Sequence, residues 1–312
     1  MKVFVAGATG AIGQRLVPLL VDAGHDVVGT TTTPAKVDGL RLTGATPVVL
    51  DGLDGDAVRR AVLDAQPEVV VHQMTALSGD LDFRHFADTF AETNRLRTET
   101  TDRLIAASVE AGARRFVAQS FAAWAYEQSG GPVKTEEDPR LANPTGPVKE
   151  TVEAIFHLES VTTGTHGIEG LALRYGGFYG PGQALGKGGA MFEAVVKRQM
   201  PIVGGGTGIW SFVHIDDAAA ATALAVDRGD PGLYNVVDDE PAAVSEWLPY
   251  LAEVLGAKPP RKVPAWLARL IVGSPGVTMM TKLRGSSNAK AKRELGWTPR
   301  YSSWRAGFRE GL

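Results

Sequence analysis

The stretch KVFVAGATGAIG at residues 2–13 decides the fold. A β-branched run, Val3–Val5, leads directly into three glycines, and an amphipathic segment over Ala11–Ala23 follows. In a strand–turn–helix unit, this G-x-x-G-x-x-G spacing lets backbone N–H groups approach a diphosphate at the start of the helix. A plain strand-to-helix turn is the alternative. The position of the motif favours a dinucleotide site formed by Gly7, Thr9, Gly10, Ala11, Ile12 and Gly13.

The first half of the chain continues to alternate short apolar runs with segments of helical period. The predicted strands are Val27–Thr31, Val48–Leu50, Val69–Val71, Phe116–Ala118 and Leu171–Leu173, and the predicted helices are Asp56–Ala65, Thr89–Ala111 and Lys149–Thr162. This alternation is typical of βαβ units, so it predicts an α/β fold with a doubly wound parallel Rossmann sheet. Glycine clusters beyond Arg174 predict a smaller second lobe. We expect a dinucleotide-binding domain over 1–175 and a substrate lobe over 176–312, with some segments of the latter returning to the former.

Composition and charge exclude several classes of protein. The chain has 312 residues with 32 Lys+Arg and 35 Asp+Glu, a net charge of −3, which excludes a polycationic nucleic-acid binder. It has no cysteine, which excludes disulfides, thiol nucleophiles and Cys-ligated metals. No run reaches the roughly 18 apolar residues of a membrane span. The first strand begins at once, without a signal peptide, so we expect a cytoplasmic protein with neither a nucleic-acid nor a membrane partner.

The end of the second predicted strand indicates which dinucleotide is bound. An acidic residue there would accept a hydrogen bond from the ribose 2′-hydroxyl of NAD, but residues 30–33 are all threonine. Thr31, Thr32 and Lys36 could instead hold a 2′-phosphate. NADP is therefore favoured over NAD. The alternative is that Lys36 is only a solvent-exposed residue at a helix start, and that the protein accepts NAD through contacts with the threonine hydroxyls.

Further motifs carry a family resemblance over nearly the whole chain. They are the Asp51-Gly52 pair, VVHQM at 70–74, RYGGFYGPG at 174–182, FVHIDD at 212–217 and KRELGW at 292–297. With the glycine motif, they make the chain similar to an extended or atypical short-chain dehydrogenase/reductase of the NAD-dependent epimerase/dehydratase group. The resemblance implies adenine contact at Asp51 and Gly52, and Met74 under the nicotinamide ribose. It also implies an NAD(P)-dependent oxidoreductase or epimerase with a small-molecule substrate, and leaves a homodimer open.

The catalytic positions depart from the pattern of that family. Its Tyr-x-x-x-Lys motif corresponds to TGPVK at 145–149, so Lys149 is kept as the cofactor ligand but Thr145 replaces the tyrosine. A threonine hydroxyl is a far weaker acid than a phenol, whose pKa is about 10. Gly146 and Pro147 also disfavour a regular helix at this point.

Other residues after the fifth predicted strand could replace the missing groups. The family's catalytic serine or threonine corresponds to Phe121, with Ser120 one residue earlier, where a bulge would restore it. Tyr126 supplies a phenol whose pKa Lys149 could shift; alternatively, it forms a wall of the pocket. The catalytic candidates are therefore Lys149, Tyr126, Ser120 and Thr145.

The remaining polar residues are assigned mainly structural roles. Asn94 matches a family asparagine that supports the active-site helix, His72 is expected in the core, and His214 with Asp216 is expected to be structural, so no metal site is predicted. Arg284 is a candidate for binding a pyrophosphate, but no basic cluster accompanies it, which favours a smaller or more apolar substrate. Three hypotheses remain: a redox enzyme or epimerase, a non-redox lyase, isomerase or cyclase that keeps the cofactor as a scaffold, and a cofactor-sensing binding protein.

Overall fold

The computed structural model describes residues 1–77 and 82–312. A seven-stranded, all-parallel sheet forms its centre, in the order β12-β7-β5-β4-β1-β2-β3. With strands numbered along the chain, these are β1 (Lys2–Ala6), β2 (Asp26–Thr31), β3 (Thr46–Val49), β4 (Val69–His72), β5 (Arg115–Phe121), β7 (Glu169–Tyr175) and β12 (Gly232–Val236). The predicted doubly wound parallel sheet is confirmed.

Helices cover both faces of the sheet, which explains the continuous apolar run in β4. In β4, Val69, Val70 and Val71 are all fully buried, as expected for a parallel strand with helices on each side. The helices of the first half are α1 (Gly13–Asp22), α2 (Val37–Leu42), α3 (Gly55–Ala65), α4 (Phe86–Arg95), α5 (Thr101–Glu110) and α6 (Lys149–Gly164). The first helix begins two residues later than predicted, at Gly13.

The predicted single helix over Thr89–Ala111 is wrong in one respect. A π-helical turn, Leu96–Thr100, separates α4 from α5. Leu96 is the only apolar residue between Ala91 and Leu104, so no pattern of apolar residues crosses this turn to reveal it. The third strand also differs slightly, because it covers Thr46–Val49 rather than Val48–Leu50.

The second half of the chain builds a smaller lobe and then returns to the sheet. Two-stranded pairs join β6 (Val133–Lys134) to β15 (Gly285–Ser286), β8 (Gly177–Tyr179) to β11 (Phe212–His214), β9 (Ile202–Val203) to β14 (Lys262–Val263), and β10 (Ile209–Trp210) to β13 (Ala242–Ala243). Its helices are α7 (Ala190–Val196), α8 (Ile215–Asp227), α9 (Val244–Val254), α10 (Ala265–Thr281), α11 (Ala289–Leu295) and α12 (Trp304–Glu310). Helix α8 packs on α1, and β12, which the sequence analysis missed, adds the seventh strand beside β7.

In the described residues, no helix is both long enough and apolar enough to cross a bilayer.

Candidate functional site

The glycine loop between β1 and α1 is too tight for any side chain at its first and last glycines. Gly7 has φ +91°, and a Cβ there would lie 2.9 Å from the carbonyl carbon and oxygen of Gln73. A Cβ on Gly13 would lie 2.3 Å from the Gly7 carbonyl oxygen. The loop is therefore pressed against the end of β4 and against itself, and this brings the start of α1 to the carboxyl edge of the sheet, where ligands of such folds bind.

The outer part of the loop is open to a ligand. Gly10 and Ala11 are exposed, whereas Ile12 is buried as the anchor of the helix start. None of the described side chains caps α1. Uncapped N–H groups at the positive end of a helix bind anions, so this loop fits the diphosphate of a dinucleotide.

Arg15 ties the glycine loop to the smaller lobe. Its guanidinium donates to the Asp216 carboxylate at 2.6 Å and to the Pro181 carbonyl oxygen at 2.6 Å. These contacts hold the RYGGFYGPG segment against the start of α1. The cofactor edge of the cleft is thus fixed from both lobes.

The threonines at the end of β2 fall into two groups. Thr30 and Thr31 are buried; the Thr30 hydroxyl accepts from the Gly7 N–H at 3.0 Å, and the Thr31 hydroxyl is 2.9 Å from that of Thr9. Thr32 and Lys36 are exposed at the start of the following turn. The Thr31 hydroxyl therefore shapes the loop, and Thr32 with Lys36 remains available to a ligand.

Gly52, predicted with Asp51 to contact adenine, lies next to Met74, which is predicted to lie under the nicotinamide ribose. Gly52 is buried, and a Cβ on it would lie 2.6 Å from the Met74 sulfur. Asp51 is exposed, and its carboxylate accepts from the Leu53 N–H at 2.9 Å. The turn after β3 and the end of β4 thus border the same edge of the sheet as the glycine loop.

Lys149 and Thr145 lie at the start of α6 rather than within it. Gly146–Val148 forms a 3₁₀ turn and α6 begins at Lys149, as Gly146 and Pro147 led us to expect. Thr145 is exposed and extended. Lys149 is also exposed, 3.8 Å from the Glu153 carboxylate. A loose pair of this kind leaves the ammonium free to meet a ligand.

Ser120 belongs to a buried ionic network behind the site. Its hydroxyl donates to the fully buried Glu159 carboxylate at 2.7 Å, and Arg174 donates to both oxygens of that carboxylate at 2.6 and 2.7 Å. Burial disfavours the charged form of Arg174, but the hydrogen bonds and charge of Glu159 outweigh it and raise the Arg174 pKa. Arg140 approaches the same carboxylate at 3.3 Å. The single proton of the Ser120 hydroxyl is therefore directed away from the cleft.

Tyr126 is also engaged inside the protein. Its side chain is 5 % exposed, its hydroxyl donates to the Asn235 amide oxygen at 2.7 Å, and the Arg174 guanidinium lies 4.9 Å from its ring centre. Burial raises the pKa of Tyr126 to about 12. The structure brings Tyr126 close to Arg174 and Asn235, and it pairs Lys149 with Glu153 instead.

An apolar cluster joins the end of β5, α6 and the smaller lobe. Trp124, Val152 and Leu283 are buried together. Further members of this apolar cluster are Phe121, Ala123, Leu141, Val148, Phe156, Trp210 and Met279. Phe121, which occupies the family's serine position, therefore contributes a hydrophobic wall beside the start of α6.

His72 and His214 take structural roles. Burial lowers the pKa of His72 to about 4, and its ring nitrogens contact the Leu96 carbonyl oxygen and the Met74 N–H. His214 caps α8 through the Asp216 N–H. Across the described ranges, no cluster of three or more acidic or histidine side chains could hold a metal ion.

Comparison with known proteins identifies the family. The model of the "NAD dependent epimerase/dehydratase family" matches residues 3–236. The chain belongs to this family. A Streptomyces protein, the 3-diazoavenalumate denitrifying reductase, is 43 % identical over 310 residues and 99 % of each chain. The UDP-glucose 4-epimerase of Thermus thermophilus, solved in complex with NAD, is 25 % identical with a TM-score of 0.72, covering 99 % of this chain and 97 % of the other.

A third relative shows the fold alone. The human epimerase family protein SDR39U1, solved with NADPH, is 20 % identical with a TM-score of 0.76, covering 99 % of this chain and 96 % of the other. Relatives in the epimerase/dehydratase family are reductases, epimerases and dehydratases, which supports an enzyme with a nicotinamide cofactor. The glycine loop of this chain fits that cofactor.

The family motifs did not reveal one buried cation. Arg97 lies in the π turn and is 5 % exposed, and its Nη1 has no hydrogen-bond partner among the described residues. Burial lowers its pKa to about 10, against the opposing charge of Glu159. One turn earlier, Asn94 donates to the Thr151 hydroxyl at 3.0 Å, so it supports α6 as the resemblance implied. A π turn is common near functional sites, but only the coordinates reveal this one.

Proposed function

We propose that this protein is an NADPH-dependent reductase that delivers a hydride to a small aromatic diazonium compound, with release of dinitrogen. One observation carries the proposal: the groups that could protonate an alkoxide are either replaced or turned inward. Thr145 is no acid, the Tyr126 hydroxyl donates to Asn235, and the Ser120 hydroxyl donates to Glu159. Reversible ketone–alcohol chemistry needs such a proton donor.

A diazonium ion needs no proton donor, because it is already cationic. When bound, the reduced nicotinamide supplies a hydride, so that Ar–N₂⁺ + H⁻ gives Ar–H + N₂ and the oxidised cofactor remains. The relative at 43 % identity, whose name specifies a diazo substrate and a denitrifying reduction, supports this reaction class. It also distinguishes this chain from the sugar-nucleotide epimerases that share its fold.

The residues that line the cleft suit an aromatic substrate. Phe121, Trp124 and Trp210 form an apolar wall, and flat rings pack well against other aromatic rings. The wall also excludes water, which would otherwise compete as a nucleophile for the diazonium group. The role of this chain's own side chains is thus to bind, orient and dry the reacting group.

The cofactor is held by groups at the other edge of the cleft. The uncapped start of α1 would bind the diphosphate, and Lys149 would donate to the nicotinamide ribose. Thr32 and Lys36, both exposed, would bind the 2′-phosphate, which favours NADPH over NADH.

The test is a quenched assay with diazotised 3-aminocinnamate and NADPH that carries deuterium at both C4 positions. We expect one arene C–D bond and one molecule of dinitrogen per NADPH oxidised, at a rate well above that without protein. Ser120→Ala, Tyr126→Phe and Thr145→Val should each lower kcat by less than about tenfold, below the 10²–10⁴-fold contribution of a general acid.

Three other results would contradict the proposal. Reduction of ketones that is lost in Tyr126→Phe would show that Tyr126 acts as an ordinary proton donor. Product formation without oxidation of NADPH would favour the non-redox enzyme. Tight NADPH binding with no turnover of the diazonium compound would favour the cofactor sensor.

A further inference from the structure

The first two turns of α10 present a large apolar face to solvent. Trp266 is 71 % exposed and Leu270, one turn later, is 74 % exposed; Leu267 and Ile271, on the adjoining row, are 38 % and 50 % exposed. Ala268 faces the protein and is 2 % exposed. Isolated exposed apolar residues are common, but four on one helix face mark an interaction surface.

This face is held in place rather than frayed. Gly273, with φ +68°, bends α10 directly after it, and the Arg84 guanidinium donates to the Ile271 carbonyl oxygen. On the other side, the Arg198 guanidinium donates to the Pro259 carbonyl oxygen at 2.7 Å. These contacts hold both ends of the apolar face in place.

The surrounding sequence is basic and free of acids. Residues 254–293 contain no Asp or Glu and nine Lys or Arg, although the whole chain has a net charge of −3. Within the described residues, five of these cations are exposed and make no ion pair: Lys258, Arg261, Lys262, Arg269 and Lys282. Along the chain, three of them precede the apolar face, Arg269 lies within its segment and Lys282 follows it.

We propose that α10 binds an anionic lipid membrane, lying in the interface with Trp266 and Leu270 among the headgroups. Exposed Trp and Leu flanked by Lys and Arg, on a helix too short to span a bilayer, are the features of interfacial helices. This inference replaces the expectation that the protein has no membrane partner. It stands independently of the reaction proposed above.

The observations disfavour a second copy of this chain as the occupant. Four side chains can bury only a few hundred Å², less than the roughly 800 Å² per partner of a stable dimer. A two-fold contact would also place each basic cluster against its own copy. A membrane offers a broad, anionic, apolar surface without this repulsion.

Binding at α10 would bring the substrate cleft close to the lipid. Helix α10 packs against the 3₁₀ turn Gly146–Val148, which leads into Lys149.

The experiment is co-sedimentation of the full chain with vesicles of equal parts phosphatidylcholine and phosphatidylglycerol, compared with phosphatidylcholine alone. We expect binding to the anionic vesicles that weakens with added salt. Arg261→Gln with Lys262→Gln should weaken it by about fivefold per charge. Trp266→Ala with Leu270→Ala should weaken it by about tenfold or more per side chain. Leu42→Ala, at a residue 89 % exposed on α2, and Arg60→Gln on α3 are the matched controls.

Fluorescence gives a second measurement. Of the six tryptophans, Trp266 is the most exposed, so a blue shift on adding vesicles that disappears in Trp266→Phe would place this residue in lipid. Absence of binding to the anionic vesicles would overturn the proposal. The proposal would also be overturned if the Trp266 and Leu270 substitutions left vesicle binding intact. In that case they would instead abolish self-association or salt-sensitive binding to an acidic protein. Unchanged thermal unfolding and NADPH affinity in the variants would show that each is folded.

Discussion

The two sides of the cleft use their polar groups in opposite ways. At the glycine loop, the uncapped start of α1 and the exposed Lys36 are left free to meet a ligand. On the β5–α6 side, Ser120 and Tyr126 donate to partners inside the protein, and Arg174 is paired with Glu159. Both sides correspond to motifs of the same family, but only the glycine-loop side leaves polar groups exposed to a ligand.

The difference teaches where catalysis can come from in this chain. A buried polar group that is already paired contributes to stability and is not free for proton transfer, because breaking the pair leaves its partner unsatisfied. The β5–α6 side is therefore a rigid wall, and in the reaction we propose the chemistry depends on the cofactor.

The strongest way to break this comparison is to remove the charge of Glu159. Glu159→Gln leaves the buried Arg174 without its counter-ion, and we expect the free energy of unfolding to fall by about 3–5 kcal/mol. Chemical denaturation measures it. Glu153→Gln, six residues earlier on the exposed face of α6, is the control and should change stability by less than about 1 kcal/mol. Equal effects of the two substitutions would show that the network does not stabilise the wall.

The glycine loop can be broken by a single methyl group. Gly13→Ala would place a Cβ 2.3 Å from the Gly7 carbonyl oxygen, so the loop must shift away from the diphosphate position. We expect NADPH affinity, measured by calorimetry, to fall by about 100-fold, since loss of two charge-assisted hydrogen bonds costs about 3 kcal/mol.

Gly39→Ala on α2 is the matched control for that substitution. A Cβ on Gly39 meets no atom within 4 Å, so the substitution should be neutral or slightly stabilising. If Gly13→Ala bound NADPH with unchanged affinity, the glycine loop would not be the cofactor site.

Sequence alone predicted the local backbone of the glycine loop and of the start of α6, but not the contacts of the catalytic candidates, for a physical reason. The glycine loop, the start of α6 and the absence of an acid after β2 are local features, encoded within a few residues of chain. The partners that turn Ser120 and Tyr126 inward, Glu159 and Asn235, lie 39 and 109 residues away. No local pattern reports such contacts.

Two other features were equally hidden from the sequence. The π turn at Leu96–Thr100 lies in a polar stretch with a single apolar residue, and β12 joins the sheet far along the chain from its first six strands. Glu159 offered a weak signal, because it stands among apolar residues on the buried face of α6. A lone acid on such a face indicates a buried counter-ion, but not which arginine provides it.

The smallest expected effect concerns the choice of cofactor. Lys36→Gln removes the exposed cation proposed to meet the 2′-phosphate, and we expect NADPH affinity to fall by about two- to fivefold, the range of an exposed ion pair. NADH affinity should not change, because NADH has no phosphate at this position, so the ratio of the two dissociation constants isolates the contact. Lys258→Gln, at an exposed lysine in the smaller lobe, is the control.

Added salt should weaken NADPH binding to the native protein more than to Lys36→Gln, since screening acts on the ion pair that the variant lacks. Tighter binding of NADH than of NADPH by the native protein would instead show that the four threonines at 30–33 accept a ribose hydroxyl and that Lys36 only solvates the turn before α2.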